Sequence, residues 1–211
     1  MSEIFKNFNC IGILGGTFNP VHKGHIMLVN EVNKQIPDIE HLFIMPNNMP
    51  AYKENQSIIS SEHRINMLQL AISNIPNTSV SDIEIQRGGT TYTIDTLRQI
   101  KAINPDSKIY FIIGADSLYN IEKWRDFQDI FDNCVIIAAK RDCNLEDIIN
   151  YSNELIKRHK NLNIQFIDTK AIDISSSELR DNISINILDN RYLDEKVIQY
   201  IKTNNLYGWN S

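Results

Sequence analysis

The sequence is poor in cysteine, with only Cys10, Cys134 and Cys143 in 211 residues. Three is an odd number and the spacings are wide, which excludes a disulfide framework. Cys10 and Cys134 fall in apolar, strand-like runs, the pattern of buried thiols in a reducing compartment. No apolar run is long enough to cross a bilayer. The stretch from Met1 to Lys6 lacks the apolar segment of a secretory signal, so a cytoplasmic protein without a membrane partner is expected. Positive charge is not in excess: 21 Lys and Arg against 26 Asp and Glu leave a net charge of -5. That balance excludes the broad basic footprint of a nucleic-acid binder, while a local group of cations can still hold one phosphorylated small molecule. Repeats and low-complexity blocks are also missing. The composition that remains, 42% hydrophobic and 22% charged, is that of a globular core. The length suits one domain over residues 1–211, with 174–211 as a small C-terminal helical portion. Monomer and homo-oligomer are both open.

The densest chemistry lies in Gly15-Gly16-Thr17-Phe18-Asn19-Pro20-Val21-His22-Lys23-Gly24-His25. Before it, Cys10 to Leu14 reads as a short buried strand; after it, Ile26 to Val32 reads as a helix with an apolar face. Glycines at a strand-to-helix turn let the backbone approach a ligand, and the N–H groups of a helix start point at an anion. Two histidines three apart on the first turn share one side of the helix. A phosphate site containing imidazoles is one reading; a turn that merely punctuates the chain is the other. No cysteine or acidic cluster is near enough in sequence to complete a metal set with the His-x-x-His pair, so no protein-held metal is expected.

Further along, 39–45 reads as a strand, 47–56 as a polar surface loop, and Ser60 or Ser61 as the cap of a helix through Ile72. A strand is predicted from Val80 to Gln86, a helix from Thr93 to Ile103, a strand over 108–113, and short helical pieces between Leu118 and Phe131. Then come a strand over 134–139, a helix over 145–159, a strand over 164–167, a helix opened by Ile174 to Arg180, and a last helix over 193–203. Strands alternating with helices imply crossover units and a mostly parallel sheet. Ligands of such sheets bind beyond the carboxyl ends of the strands, where the Gly15, Gly114, Arg141 and Ser175 regions fall.

The stretch Ile174-Ser175-Ser176-Ser177-Glu178-Leu179-Arg180 offers hydroxyls and free N–H groups at a helix start, with a guanidinium beside them. Such a set can cradle an anion or simply cap a helix. Together with Gly15 to His25 it resembles the two signatures of the nucleotidylyltransferase superfamily. Within that superfamily the chain is most similar to the bacterial nicotinate-nucleotide adenylyltransferases, and the likeness runs from about Cys10 to the C-terminal helix. It is carried by Met45-Pro46 through Lys53; by Arg64, Met67, Leu70 and Ala71; by Arg87-Gly88-Gly89-Thr90-Thr91-Tyr92-Thr93-Ile94-Asp95-Thr96-Leu97; by Ile113 to Asp116 with Trp124; and by Arg141. Two positions depart from the pattern: Asn19 stands where the family commonly has aspartate, and Ala51-Tyr52-Lys53 where it has Pro-His-Lys.

The resemblance implies an α/β, Rossmann-like three-layer sandwich with a mostly parallel sheet. It implies transfer of adenylyl from ATP to nicotinate mononucleotide, giving deamido-NAD and pyrophosphate, with magnesium accompanying ATP. By resemblance, His22 and His25 serve the ATP phosphates, His25 at the α-phosphoryl group. Arg180 with Ser175, Ser176 and Ser177 serves the β- and γ-phosphates. Gly15, Gly16, Thr17, Phe18, Gly24, Gly114 and Asp116 complete the ATP side. Lys53, Thr91, Tyr92, Thr93, Trp124 and Arg141 face the acceptor. The attacking phosphate is already an anion, so the chemistry needs positioning and charge stabilisation rather than a general base. The rival readings are a different acceptor (nicotinamide mononucleotide, phosphopantetheine or glycerol phosphate) and a non-catalytic nucleotide sensor.

Overall fold

The computed structural model describes residues 2–51, 58–140, 145–169 and 174–210. Its centre is a sheet of six strands, every neighbouring pair parallel. In chain order these are β1 (Cys10–Gly16), β2 (His41–Pro46), β4 (Thr78–Val80), β6 (Lys108–Gly114), β7 (Val135–Lys140) and β8 (Ile164–Asp168). They lie in the order β4-β2-β1-β6-β7-β8. Two dipeptides, β3 (Met49–Pro50) and β5 (Thr90–Thr91), pair separately, with Pro50 opposite Thr91.

Apolar runs become central strands because both faces of the sheet are covered. Side chains alternate between the faces. Ile11, Ile13, Ile109, Phe111 and Ile113 join one core cluster, whereas Leu14, Tyr110 and Ile112 join the other. The first cluster takes in α4 (Thr93–Ile103), α5 (Phe127–Asn133) and α6 (Leu145–Arg158). The second takes in α1 (Lys23–Gln35), α2 (Ser61–Ile72), α7 (Ser176–Ser184) and α8 (Glu195–Thr203). The result is the three-layer, Rossmann-like α/β architecture.

One predicted element is corrected. The run Val80 to Gln86 is not a continuous strand: β4 ends at Val80, and α3 (Ile83–Arg87) is a short helix. Ile83 and Glu84 are both buried on that short helix. The Gln86 N–H donates to the Asp82 carbonyl at 2.9 Å, and Gly88, at φ +73°, ends the turn in a conformation that glycine adopts without strain. Among the described residues, no helix is long and apolar enough to cross a membrane.

The strand order positions a site. From β1 the chain moves outward to β2, then returns across to β6 on the other side, so the connections diverge above the β1–β6 pair. A crevice opens at such a switch point, outside the carboxyl ends of the strands. Those ends are Gly15-Gly16 and Ile113-Gly114.

Candidate active site

A cleft of about 350 Å³ occupies that crevice, a size within the range of small-molecule sites. Gly15, Gly16, Thr17 and His25 line it, together with Thr91, Tyr92, Thr93 and Trp124 and with Phe111 and Gly114 of β6.

The imidazole end is built by helix capping. His22 is the residue before α1, with extended backbone, and His25 lies three residues on. The His22 backbone N–H donates to His25 Nδ1 at 3.2 Å. With Nδ1 acting as acceptor, the neutral ring carries its proton on Nε2, which becomes a donor. The two rings stand 3.8 Å apart between centroids. His22 is buried, whereas His25 reaches the cleft. Phe18, itself buried, meets the His25 ring edge-on at 5.0 Å. Gly16 makes room for it: a Cβ there would stand 2.9 Å from the Phe18 ring.

The glycine-rich turn is held from outside. Asn47 donates its backbone N–H to the Gly16 carbonyl at 3.0 Å and its side-chain amide to Thr17 Oγ1 at 3.2 Å. Arg64, only 2% exposed, donates from Nη1 to the Thr17 carbonyl at 3.0 Å. Burial lowers the pKa of its guanidinium from the ordinary value. Asn19 accepts the Ile59 N–H on its side-chain oxygen at 3.4 Å, a contact that needs no charge.

The second motif meets the first across 161 residues of chain. Arg180 donates from Nη1 to the Asn19 carbonyl at 2.9 Å, and the Ser176 hydroxyl donates to the Pro20 carbonyl at 3.0 Å. Arg180 also reaches the Ser176 carbonyl and Ser177 Oγ. Ser175 caps α7: its Oγ accepts the Glu178 N–H, while its own N–H donates to the Glu178 carboxylate at 2.7 Å. Hydrogen bonding of the carboxylate by the Ser175 side chain, and by the Ser175 backbone N–H, holds the Glu178 carboxyl below the usual carboxylate range.

Ahead of α4, Gly88 and Gly89 take φ values of +73° and +67°, and Asn48 clamps this stretch. Its side chain donates to the Gly89 carbonyl at 2.9 Å and its N–H to Thr91 Oγ1 at 3.1 Å. This places the start of α4 against the cleft, with Tyr92 as the residue before it. The Trp124 ring stands perpendicular to Phe111 at 6.2 Å. Beneath α4, Arg87 donates to Thr96 Oγ1, and the fully buried Thr96 hydroxyl donates to Glu84 at 2.7 Å. Burial pushes the Glu84 carboxyl up from its ordinary value, against the opposing pull of Thr96 and Arg87.

The predicted residues therefore divide by place. Gly15, Gly16, Thr17, His25, Gly114, Thr91, Tyr92, Thr93 and Trp124 share the cleft wall. His22 and Phe18 are buried behind it, and Gly24 lies in the first turn of α1. Asp116 is exposed, its carboxylate folded to 2.5 Å from where a Gly114 Cβ would stand. Ser175, Ser176, Ser177 and Arg180 do not line this cleft; Ser176 and Arg180 meet the glycine-rich turn through the Pro20 and Asn19 carbonyls. Lys53 and Arg141 lie outside the described residues, as does Tyr52. Sequence reasoning gave no site role to Arg64, Asn47, Glu84 or Arg125, although Arg64 stood in a family-like stretch and Arg125 directly follows Trp124.

Comparison with known proteins bears on the family and the fold. A family model described as cytidylyltransferase-like matches residues 13–182. A probable nicotinate-nucleotide adenylyltransferase of Lachnoclostridium phytofermentans is 37% identical over 198 residues, 93% of this chain and 98% of the relative. One from Lactococcus lactis is 36% identical over 197 residues, 93% and 94% of the two chains. Among solved structures, Plasmodium falciparum nicotinic acid mononucleotide adenylyltransferase complexed with NaAD superposes with a TM-score of 0.77 at 23% identity, covering 96% of this chain and 98% of that one. At that identity the superposition speaks for the fold.

Proposed function

The chain belongs to the nicotinate-nucleotide adenylyltransferase family of the cytidylyltransferase-like superfamily, and from that premise we propose that it joins the adenylyl group of ATP to nicotinate mononucleotide. The products are deamido-NAD and pyrophosphate, and the enzyme works in the cytoplasm. The observation that carries this reading is the shared cleft, lined both by the His25 imidazole, whose Nδ1 accepts the His22 N–H, and by the start of α4 with Trp124.

In this mechanism a phosphate oxygen of the mononucleotide attacks the α-phosphorus of ATP, and the bond to the bridging oxygen of pyrophosphate breaks. His25 Nε2–H donates to the α-phosphoryl group, a bond that strengthens as charge accumulates there. His22 keeps that ring in register through its backbone N–H. Arg180 and the start of α7 take the β- and γ-phosphates, and the contacts to Asn19 and Pro20 hold α7 beside the glycine turn. The N–H groups following Tyr92 receive the ring carboxylate, and Trp124 flanks the pyridine.

Magnesium bound with ATP would supply neutralisation of charge on the phosphates. Among the described residues no three His, Cys, Asp or Glu side chains come together as a metal cage. The exposed Asp116 carboxylate would be the side chain available to the hydration shell of such an ion.

The test is a panel of phosphorylated acceptors with ATP and magnesium, with products identified by mass. Deamido-NAD from nicotinate mononucleotide is the expected product. Preferential turnover of nicotinamide mononucleotide, phosphopantetheine or glycerol phosphate would overturn the acceptor assignment.

A further inference from the structure

The charge on the cleft wall is sparse. Among the described lining residues, Arg125 is the one Arg or Lys and Glu84 the one carboxylate. Arg125 directly follows Trp124, and its guanidinium lies 4.8 Å from the centre of the Tyr92 ring. Stacking on an aromatic face fixes the plane of the guanidinium while leaving its edge open. Its ion pair is weak: Nη1 stands 3.5 Å from Asp95 Oδ2, and the side chain is 51% exposed. One nitrogen is thus loosely engaged, and the remaining N–H groups keep the fork geometry that fits a planar carboxylate.

We propose that Arg125 is a specificity-determining residue of this cleft, the side chain that favours an acceptor ring bearing a carboxylate over one bearing an amide. The inference rests on the function proposed above. Tyr92 holds the guanidinium in the cleft that Trp124, the start of α4 and His25 also line. A carboxylate there gains a charge-assisted pair with Arg125. An amide offers one neutral acceptor, and its NH₂ group has no acceptor on a guanidinium, which carries only donors. Asp95, competing for the same nitrogen, restrains the cation until an anion of better geometry arrives.

The test is kcat/KM of Arg125→Gln and of the wild type for nicotinate and nicotinamide mononucleotides, each with saturating ATP and magnesium. A thermal melt reports whether the half-exposed substitution leaves the fold intact. The expected result is a loss of about 10- to 100-fold with the nicotinate acceptor, the scale of a charge-assisted hydrogen bond, and a change under about threefold with the amide. The preference then collapses. A preference kept within about threefold of wild type would overturn the inference. So would equal losses on both acceptors, which would place Arg125 on a group common to them. Wild-type protein that joins neither mononucleotide to ATP's adenylyl group would overturn the proposed function itself, and the inference with it.

Discussion

His25 Nδ1 accepts the backbone N–H of His22 at 3.2 Å. That one bond couples helix formation to chemistry. The same contact that satisfies a free N–H at the start of α1 sets the tautomer of His25 and leaves Nε2 as its donor.

His25→Ala removes that donor while α1 keeps its apolar face on the core through Leu28, Val29 and Val32. Turnover with ATP and nicotinate mononucleotide should fall about tenfold to a few hundredfold, as expected for a charge-assisted bond of roughly 1.5–3 kcal/mol in the transition state. Steady-state kcat and a thermal melt measured together check this. A variant with full turnover would remove His25 from the reacting centre.

Ser175 has its hydroxyl and its N–H engaged in a reciprocal cap with Glu178. Ser175→Ala should cost about 0.5–2 kcal/mol of stability, the usual range for loss of an N-cap, read by urea denaturation. Because α7 also carries Arg180, KM for ATP should rise in the same variant. An unchanged midpoint would show that the cap contributes nothing to stability.

Glu84 gives a pH-dependent outcome. Its carboxyl is raised in the folded protein by burial, so folding favours the protonated form. That contribution is complete below the ordinary carboxylate value and is lost as pH rises through the raised value. Glutamine imitates the protonated state and still offers an oxygen to Thr96. Glu84→Gln should therefore melt higher than wild type at neutral pH, and the difference should vanish on acidification to below the ordinary carboxylate value. A difference that widens with falling pH would contradict the burial account.

The sheet was largely legible in the sequence, because strands buried on both faces are short apolar runs, and Cys10–Leu14 and Lys108–Ile113 are such runs. Val80–Gln86 was misread because Ile83 and Ile85 imitate the two-residue period of a strand. The helix there depends on Glu84 being buried against Thr96, a contact made 12 residues away. The His22–His25 spacing was legible for the same reason that it caps: three residues on a helix are neighbours. The placement of Arg64 and Arg125 was not legible, since an arginine on the Thr17 carbonyl and one over the Tyr92 ring look alike in sequence.

The central claim is adenylyl transfer, and a label in the α-phosphate of ATP tests it most directly. With nicotinate mononucleotide and magnesium present, the account predicts that the label enters a dinucleotide, with one pyrophosphate released per dinucleotide and none without acceptor. Label recovered as AMP or ADP, or pyrophosphate released from ATP alone at the same rate, would contradict it.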